Sequence, residues 1–214
     1  MTNQQTVFIV DDDEDVREGF GLLMETVGQP YRLFSSALEF MESYESEMRG
    51  CLLLDIRMPR MSGLELQEKL KEKGSLLPII FITGHGDIPM AVDAMRRGAL
   101  DFIRKPFREQ NLLDRVNEAL DIEAGKRKNQ LDRQQLIDRL NSLSDREQEV
   151  LELVASGKMN KAIAYDLGIS ERTVEVHRSH LMQKLGVESV AQLVRFKIET
   201  EHIAESGPGK STAE

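Results

Sequence analysis

The chain has 214 residues, 40% hydrophobic and 30% charged, a size and balance that suit one or two globular domains. It has no apolar run of membrane-spanning length and no signal-peptide core at its N-terminus, and its single cysteine, Cys51, excludes an internal disulfide and suits a reducing cytoplasm. The net charge of −9 argues against a uniformly basic nucleic-acid binder; yet residues 1–122 hold 14 Lys+Arg against 22 Asp+Glu, while 142–200 hold 8 against 9 and leave room for a local basic face.

The first β-rich run, TVFIV over 6–10, leads into Asp11, Asp12, Asp13, Glu14 and Asp15. Like charges at this density repel, so a cation or a helix N-terminus must share them. Asp13, Glu14 and Asp15 are expected to open a helix over 14–27 and face its positive end. Further strands are predicted at 31–34, 51–55, 78–83 and 100–103, with helices near 36–44, 63–73, 88–97 and 109–119. Five strands alternating with five helices predict a parallel α/β sheet covered on both faces. The LLL and IIFI runs suit its central strands, which are buried on both sides, and Cys51 is expected to be a buried strand thiol. His85, between Gly84 and Gly86, reads as part of a mobile loop. From 121 to 143 the sequence is polar and free of proline, which predicts an exposed helical linker continuing the fifth helix. Beyond it no β-rich run occurs; helices are expected at 145–155, 161–167, 171–185 and 189–198, followed by a disordered tail.

Ligands of an open parallel sheet bind at the carboxyl ends of its strands. Those ends carry Asp11 and Asp12, Asp55, Thr83 and, after the last strand, Lys105. Three carboxylates, a hydroxyl and an ammonium brought to one edge suit phosphoryl transfer to a carboxylate. Asp11, Asp12 and Asp55 offer hard oxygen ligands for Mg²⁺, with Mn²⁺ able to replace it. Asp55 is the expected nucleophile, Lys105 pairs with phosphoryl oxygens and Thr83 hydrogen-bonds another.

The segments FIVDDDEDVRE, CLLLDIRMPRMSGLEL, IIFITGHGD and FIRKPF, in this order, resemble the receiver domain of two-component response regulators. That resemblance implies a flavodoxin-like (βα)5 fold with strand order 2-1-3-4-5, phosphorylation of Asp55 by a sensor histidine kinase, and a backbone carbonyl from Arg57 on the metal. It also implies that Phe102 swings inward with Thr83 on activation and that the Lys105–Pro106 peptide is cis. A Mg²⁺-dependent phosphatase using an aspartyl phosphate is the competing reading, but its second acid would stand where Arg57 is, and the helical second half would have no role. A scaffold with a degenerate receiver is weakened by the complete set of five site residues.

In the second half, residues 160–187 have the spacing of a helix-turn-helix. Ala164 permits close packing, Gly168 fits the turn and Val174 packs the second helix on the first. Ser170 is an expected N-cap, with Thr173 rather than an acid three residues on, so the capping box is incomplete. Ile163, Leu167, Ile169, Val174, Leu181 and Leu185 are expected inside. The expected DNA-facing set is Asn160, Lys161, Arg172, Thr173, Glu175, Val176, Arg178, Ser179 and Lys184. With its flank SLSDREQEVLELVASGKMNKAIA, this half resembles the LuxR-type four-helix domain, specifically of the FixJ subfamily. Related regulators often carry a lysine where Glu175 stands, so their base readout does not transfer. Together the two resemblances imply a receiver at 1–122, a helical linker at 123–142, a DNA-binding domain at 143–200 and a disordered tail at 201–214. They imply a cytoplasmic transcriptional regulator that dimerises on phosphorylation and binds double-stranded promoter DNA, with RNA polymerase a candidate partner and activation the associated mode. No turnover of an outside substrate is expected, only slow loss of its own phosphate.

Overall fold

The computed structural model describes residues 4–84 and 88–205; His85 and residues 206–214 of the expected tail lie outside them. Five strands, β1 (Thr6–Val10), β2 (Tyr31–Phe34), β3 (Gly50–Leu54), β4 (Ile79–Thr83) and β5 (Asp101–Arg104), alternate with α1 (Glu14–Thr26), α2 (Ala37–Ser43), α3 (Gly63–Glu72), α4 (Ile88–Arg96) and α5 (Glu109–Asn141). All pairings are parallel, in the order β2-β1-β3-β4-β5. The expected flavodoxin-like sheet is therefore present. In-register pairing places Val10 beside Leu54, so the residues that follow β1 and β3 emerge side by side.

Every residue of β3 and β4 is buried. Because successive strand residues point to opposite faces, the sheet feeds two cores. Phe8, Val10, Leu52, Leu54 and Phe81 meet Phe40, Leu66 and Leu70 on one side. Val7, Ile9, Leu53, Ile80 and Ile82 meet Met24, Leu112 and Val116 on the other. Cys51 lies in the second core as the expected buried thiol. Full burial of each such aliphatic side chain stabilises the fold by about 1.5–3 kcal/mol.

The chain divides into two compact units, Met1–Lys128 and Asn129–Glu214, the division falling within α5 and within the segment expected as a linker. The second unit contains α6 (Asp145–Ala155), α7 (Asn160–Leu167), α8 (Glu171–Leu185) and α9 (Val190–Glu205). Val150, Val154, Ile163, Val174, Leu181, Leu185 and Phe196 close its core, with Leu136 and Leu140 packed against it. Gly168 ends α7 in the left-handed region, φ 66°, with Ile169 N–H donating to the Ala164 carbonyl at 3.0 Å; that conformation favours glycine. α9 is longer than predicted and includes residues assigned above to the tail. Its buried side continues past 198, since Thr200 is buried and Arg133 donates to the Ile203 carbonyl.

Candidate functional site

Asp11 and Asp55 follow β1 and β3 directly. The Asp55 N–H donates to the Val10 carbonyl at 2.9 Å, which ties the two strand ends together. Asp11 is buried, with a donor on each oxygen: Oδ1 accepts from Asp13 N–H at 3.0 Å, Oδ2 accepts from Lys105 Nζ at 3.1 Å, and its carbonyl accepts from the Arg17 guanidinium at 2.8 Å. Asp12 is exposed beside it. Asp13 is the N-cap of α1, accepting from Val16 N–H at 3.3 Å, and Glu14 and Asp15 occupy the first turn. The acidic run thus divides as expected between a strand end and a helix start.

Asp55 is half-buried, and Oδ2 accepts from Arg57 N–H at 2.8 Å. Its pKa is raised above the ordinary aspartate value, first by burial and then by the charge of Asp11; the Arg57 N–H and Lys105 oppose the rise, and Asp12 adds to it. The Lys105 N–H donates to the Thr83 carbonyl at 3.0 Å, which ties Lys105 to the end of β4, and the Lys105–Pro106 bond is cis. Its ammonium lies 5.5 Å from the centre of the Phe20 ring, a residue the sequence reading passed over. Thr83 is buried at the end of β4. Phe102, in register with Phe81 on β5, is half-buried against the first core.

Among the described residues, no three His, Cys, Asp or Glu side chains close into a group able to hold a metal ion by themselves. The donors at this edge are nevertheless hard oxygens, and Asp11 and Asp12 both oppose ionisation of Asp55. A small divalent cation that keeps several waters fits such an open, mutually repelling set.

Gly63 also went unnoticed in the sequence, although its place at the start of α3 behind Ser62 was a signal. A methyl group there would lie 2.2 Å from the Asp55 carbonyl oxygen and 3.0 Å from Phe81 Cε1. Backbone cannot yield to it. Gly63→Ala is expected to destabilise the first unit by roughly 1–3 kcal/mol and to slow phosphoryl uptake at Asp55; denaturant melts and intact mass after acetyl phosphate treatment check both.

In the second unit, Ser170 caps α8, accepting from Thr173 N–H at 3.1 Å, and its hydroxyl also meets the Thr173 hydroxyl at 2.8 Å. Arg172, Glu175, Val176 and Ser179 are exposed at helical spacing, and so form one stripe along α8. Arg178 donates to Asn160 Oδ1, joining α8 to the first residue of α7, where Lys161 is exposed. The N-cap of α7, Met159, provides no side-chain cap bond.

Lys184 does not join the stripe. Its ammonium donates to Glu147 Oε2 at 2.7 Å and to the Ser142 carbonyl at 3.2 Å, which makes it a contact within the unit. Glu147 is buried and completes a capping box with Ser144 at the start of α6. The Ser-x-x-Glu pattern at 144–147 was the available sequence signal. Lys184, and then the Ser144 N–H and hydroxyl, hold the Glu147 carboxyl down to about 2. A lowered pKa gives stability that is complete above the ordinary value of 4.5 and is lost as pH falls toward about 2. Glu147→Gln is therefore expected to cost the second unit roughly 1–2 kcal/mol at pH 7, with wild type and variant converging in acid; thermal melts at both pH values measure it.

Residues 7–117 match the response regulator receiver domain family, and residues 141–197 match the bacterial regulatory proteins, luxR family. The chain is 47% identical over 207 residues to the response regulator protein TmoT of Ectopseudomonas mendocina, covering 96% of this chain and 93% of that protein. It is 42% identical over 193 residues to the transcriptional regulatory protein FixJ of Rhizobium meliloti, covering 90% and 95%. Among solved structures, the response regulator StyR aligns with a TM-score of 0.87 at 49% identity, covering 92% of this chain and 99% of that one.

Proposed function

This chain belongs to the two-component response regulators that carry a receiver and a LuxR-type DNA-binding domain, and from that premise we propose that phosphorylation of Asp55 by a sensor histidine kinase switches its binding to promoter DNA. The observation that carries the reading is the convergence at one sheet edge of Asp55, with its raised pKa, and the Asp11–Lys105 pair at 3.1 Å. A carboxylate held beside other carboxylates is a nucleophile, and a divalent cation offsets both their repulsion and the charge that an incoming phosphoryl group adds.

Asp55 accepts the phosphoryl group, forming a P–O bond as the donor's bond to phosphorus breaks. Lys105 holds one phosphoryl oxygen and the Thr83 hydroxyl another, while Phe102 follows Thr83 inward. Asp11, Asp12, Asp55 and the Arg57 carbonyl would hold Mg²⁺, or Mn²⁺ in its place, which would neutralise charge on the transferring group. The phosphorylated chain dimerises and presents two α8 stripes, Arg172, Glu175, Val176 and Ser179, to adjacent major grooves. Asn160, Lys161, Thr173 and Arg178 flank each stripe as phosphate contacts. Pairing doubles the phosphate contacts of a nearly neutral DNA-binding unit. The receiver function is assigned to 1–122 and DNA binding to 143–200, in a cytoplasmic protein that activates transcription with RNA polymerase; the chain slowly loses its own phosphate and turns over no outside substrate.

The test is size-exclusion chromatography of the full chain with beryllofluoride, Mg²⁺ and duplexes selected from random DNA. Beryllofluoride stands in for the phosphoryl group on Asp55. The expected result is a dimer and a DNA complex that both depend on the additive. A chain that elutes identically with and without it, and binds DNA equally in both, is no switch.

A further inference from the structure

Glu123 lies one residue beyond the segment expected to form the receiver, in a stretch whose composition reads as a solvated linker. In the structure its side chain is fully buried. Burying a carboxylate costs free energy unless donors surround it, and here they come from separate parts of the chain. Gln5 donates to Oε2 at 2.8 Å, Arg127 donates to Oε1 at 2.7 Å, and the Arg49 guanidinium lies 3.6 Å from Oε1. The same groups then bind backbone: Gln5 donates to the Leu120 carbonyl at 2.6 Å and Arg127 to the Met48 carbonyl at 2.8 Å.

The donors are placed tellingly. Gln5 immediately precedes β1, and Met48 and Arg49 immediately precede β3. These are the two strands whose other ends carry Asp11, Asp12 and Asp55, and they pair along five residues from Thr6↔Gly50 to Val10↔Leu54. Burial and then the charge of Glu123 push the Cys51 thiol on β3 up to about 12. α5 continues unbroken from this cluster to Asn141.

We propose that Glu123 anchors α5 to the entry of β1 and β3, and that the gain in DNA binding on phosphorylation depends on this anchor. It holds residues 123–128 in the first unit, so the rest of α5 continues from a fixed segment. Close-packed strands transmit displacement along their length, and a helix held near its midpoint conveys it where a loose one does not. Glu123 thus acts as a positioning residue, and the coupling it supports rests on the switch proposed above.

Two full-length variants test it: Glu123→Gln, which keeps the shape and removes the charge, and Arg127→Met, which leaves Glu123 with Gln5 and Arg49. Both are expected to take phosphate from acetyl phosphate at the wild-type rate. Amide exchange across 123–135 should rise about tenfold, and the beryllofluoride-dependent gain in affinity for a duplex selected with the wild-type chain should fall about tenfold. Unchanged exchange in both variants overturns the anchor. Faster exchange with a full wild-type gain overturns the coupling. If Glu123→Gln unfolds, Arg127→Met decides by the same two readings. A wild-type chain that shows no gain at all overturns the switch and the coupling together, and the exchange rates alone then uphold or overturn the anchor.

Discussion

Asp55→Asn is expected to take up no phosphate from acetyl phosphate and Mg²⁺, yet to melt a few degrees above the wild type. Both outcomes follow from one feature of the site. The carboxylate sits where burial and Asp11 raise its pKa, so at neutral pH the folded chain carries an ionised group that its surroundings disfavour. A raised carboxyl pKa gives stability that is present below the ordinary value of 3.8 and lost as pH rises through the higher folded value. Asparagine keeps an acceptor for the Arg57 N–H and removes the charge. Because Asp55 is only half-buried and solvent screens its charge, the variant should gain roughly 0.2–1 kcal/mol at pH 7, with the advantage shrinking below pH 3.8. The chemical loss should be complete, because a neutral amide cannot serve as the nucleophile. Intact mass spectrometry reads the first outcome and melts across pH the second. An Asp55→Asn chain that still gains a phosphoryl group would place the acceptor elsewhere.

Arg172→Ala and Lys184→Met should separate two positions that look alike in the sequence. Arg172 is exposed on the α8 stripe, whereas Lys184 is bound to Glu147 and the Ser142 carbonyl. Loss of Arg172 is expected to weaken binding to a selected duplex by about tenfold, or about 1.4 kcal/mol, with little change in melting. If the guanidinium holds a phosphate, the salt dependence should flatten by about one unit of slope; if it reads a base, discrimination at one position should relax instead. Lys184→Met should do the reverse, lowering the melting temperature of the second unit while leaving the affinity of the folded protein near wild type. Fluorescence anisotropy at several salt concentrations, with calorimetry alongside, distinguishes them. Equal losses of affinity in the two variants would refute the division of α8 into a groove-facing stripe and a lysine engaged with α6.

The contrast between these residues shows where sequence reasoning succeeds. Asp11, Asp55, Thr83 and Lys105 were legible because alternation of period locates strand ends, and parallel strands bring those ends to one edge. Gly168 and Val174 were legible because helical spacing over a short range determines which residues meet at a turn. The Lys184–Glu147 contact was not legible because it depends on how α6 lies against α8. Glu123 was read as solvated because nothing nearby in the chain marks it as buried. The extra turns of α9 were missed because Thr200, a polar residue, lies on its buried side.

Local order therefore determined the alternating strands and helices, the five residues at the strand ends and the helix-turn-helix spacing, since each depends on neighbours within a few positions. Tertiary structure alone decided which donors and acceptors meet from distant parts of the chain. Gln5 meets Glu123 across 118 positions and Arg127 meets Met48 across 79. A buried carboxylate is tolerated only where such distant donors arrive together, and their arrival is a property of the packed chain.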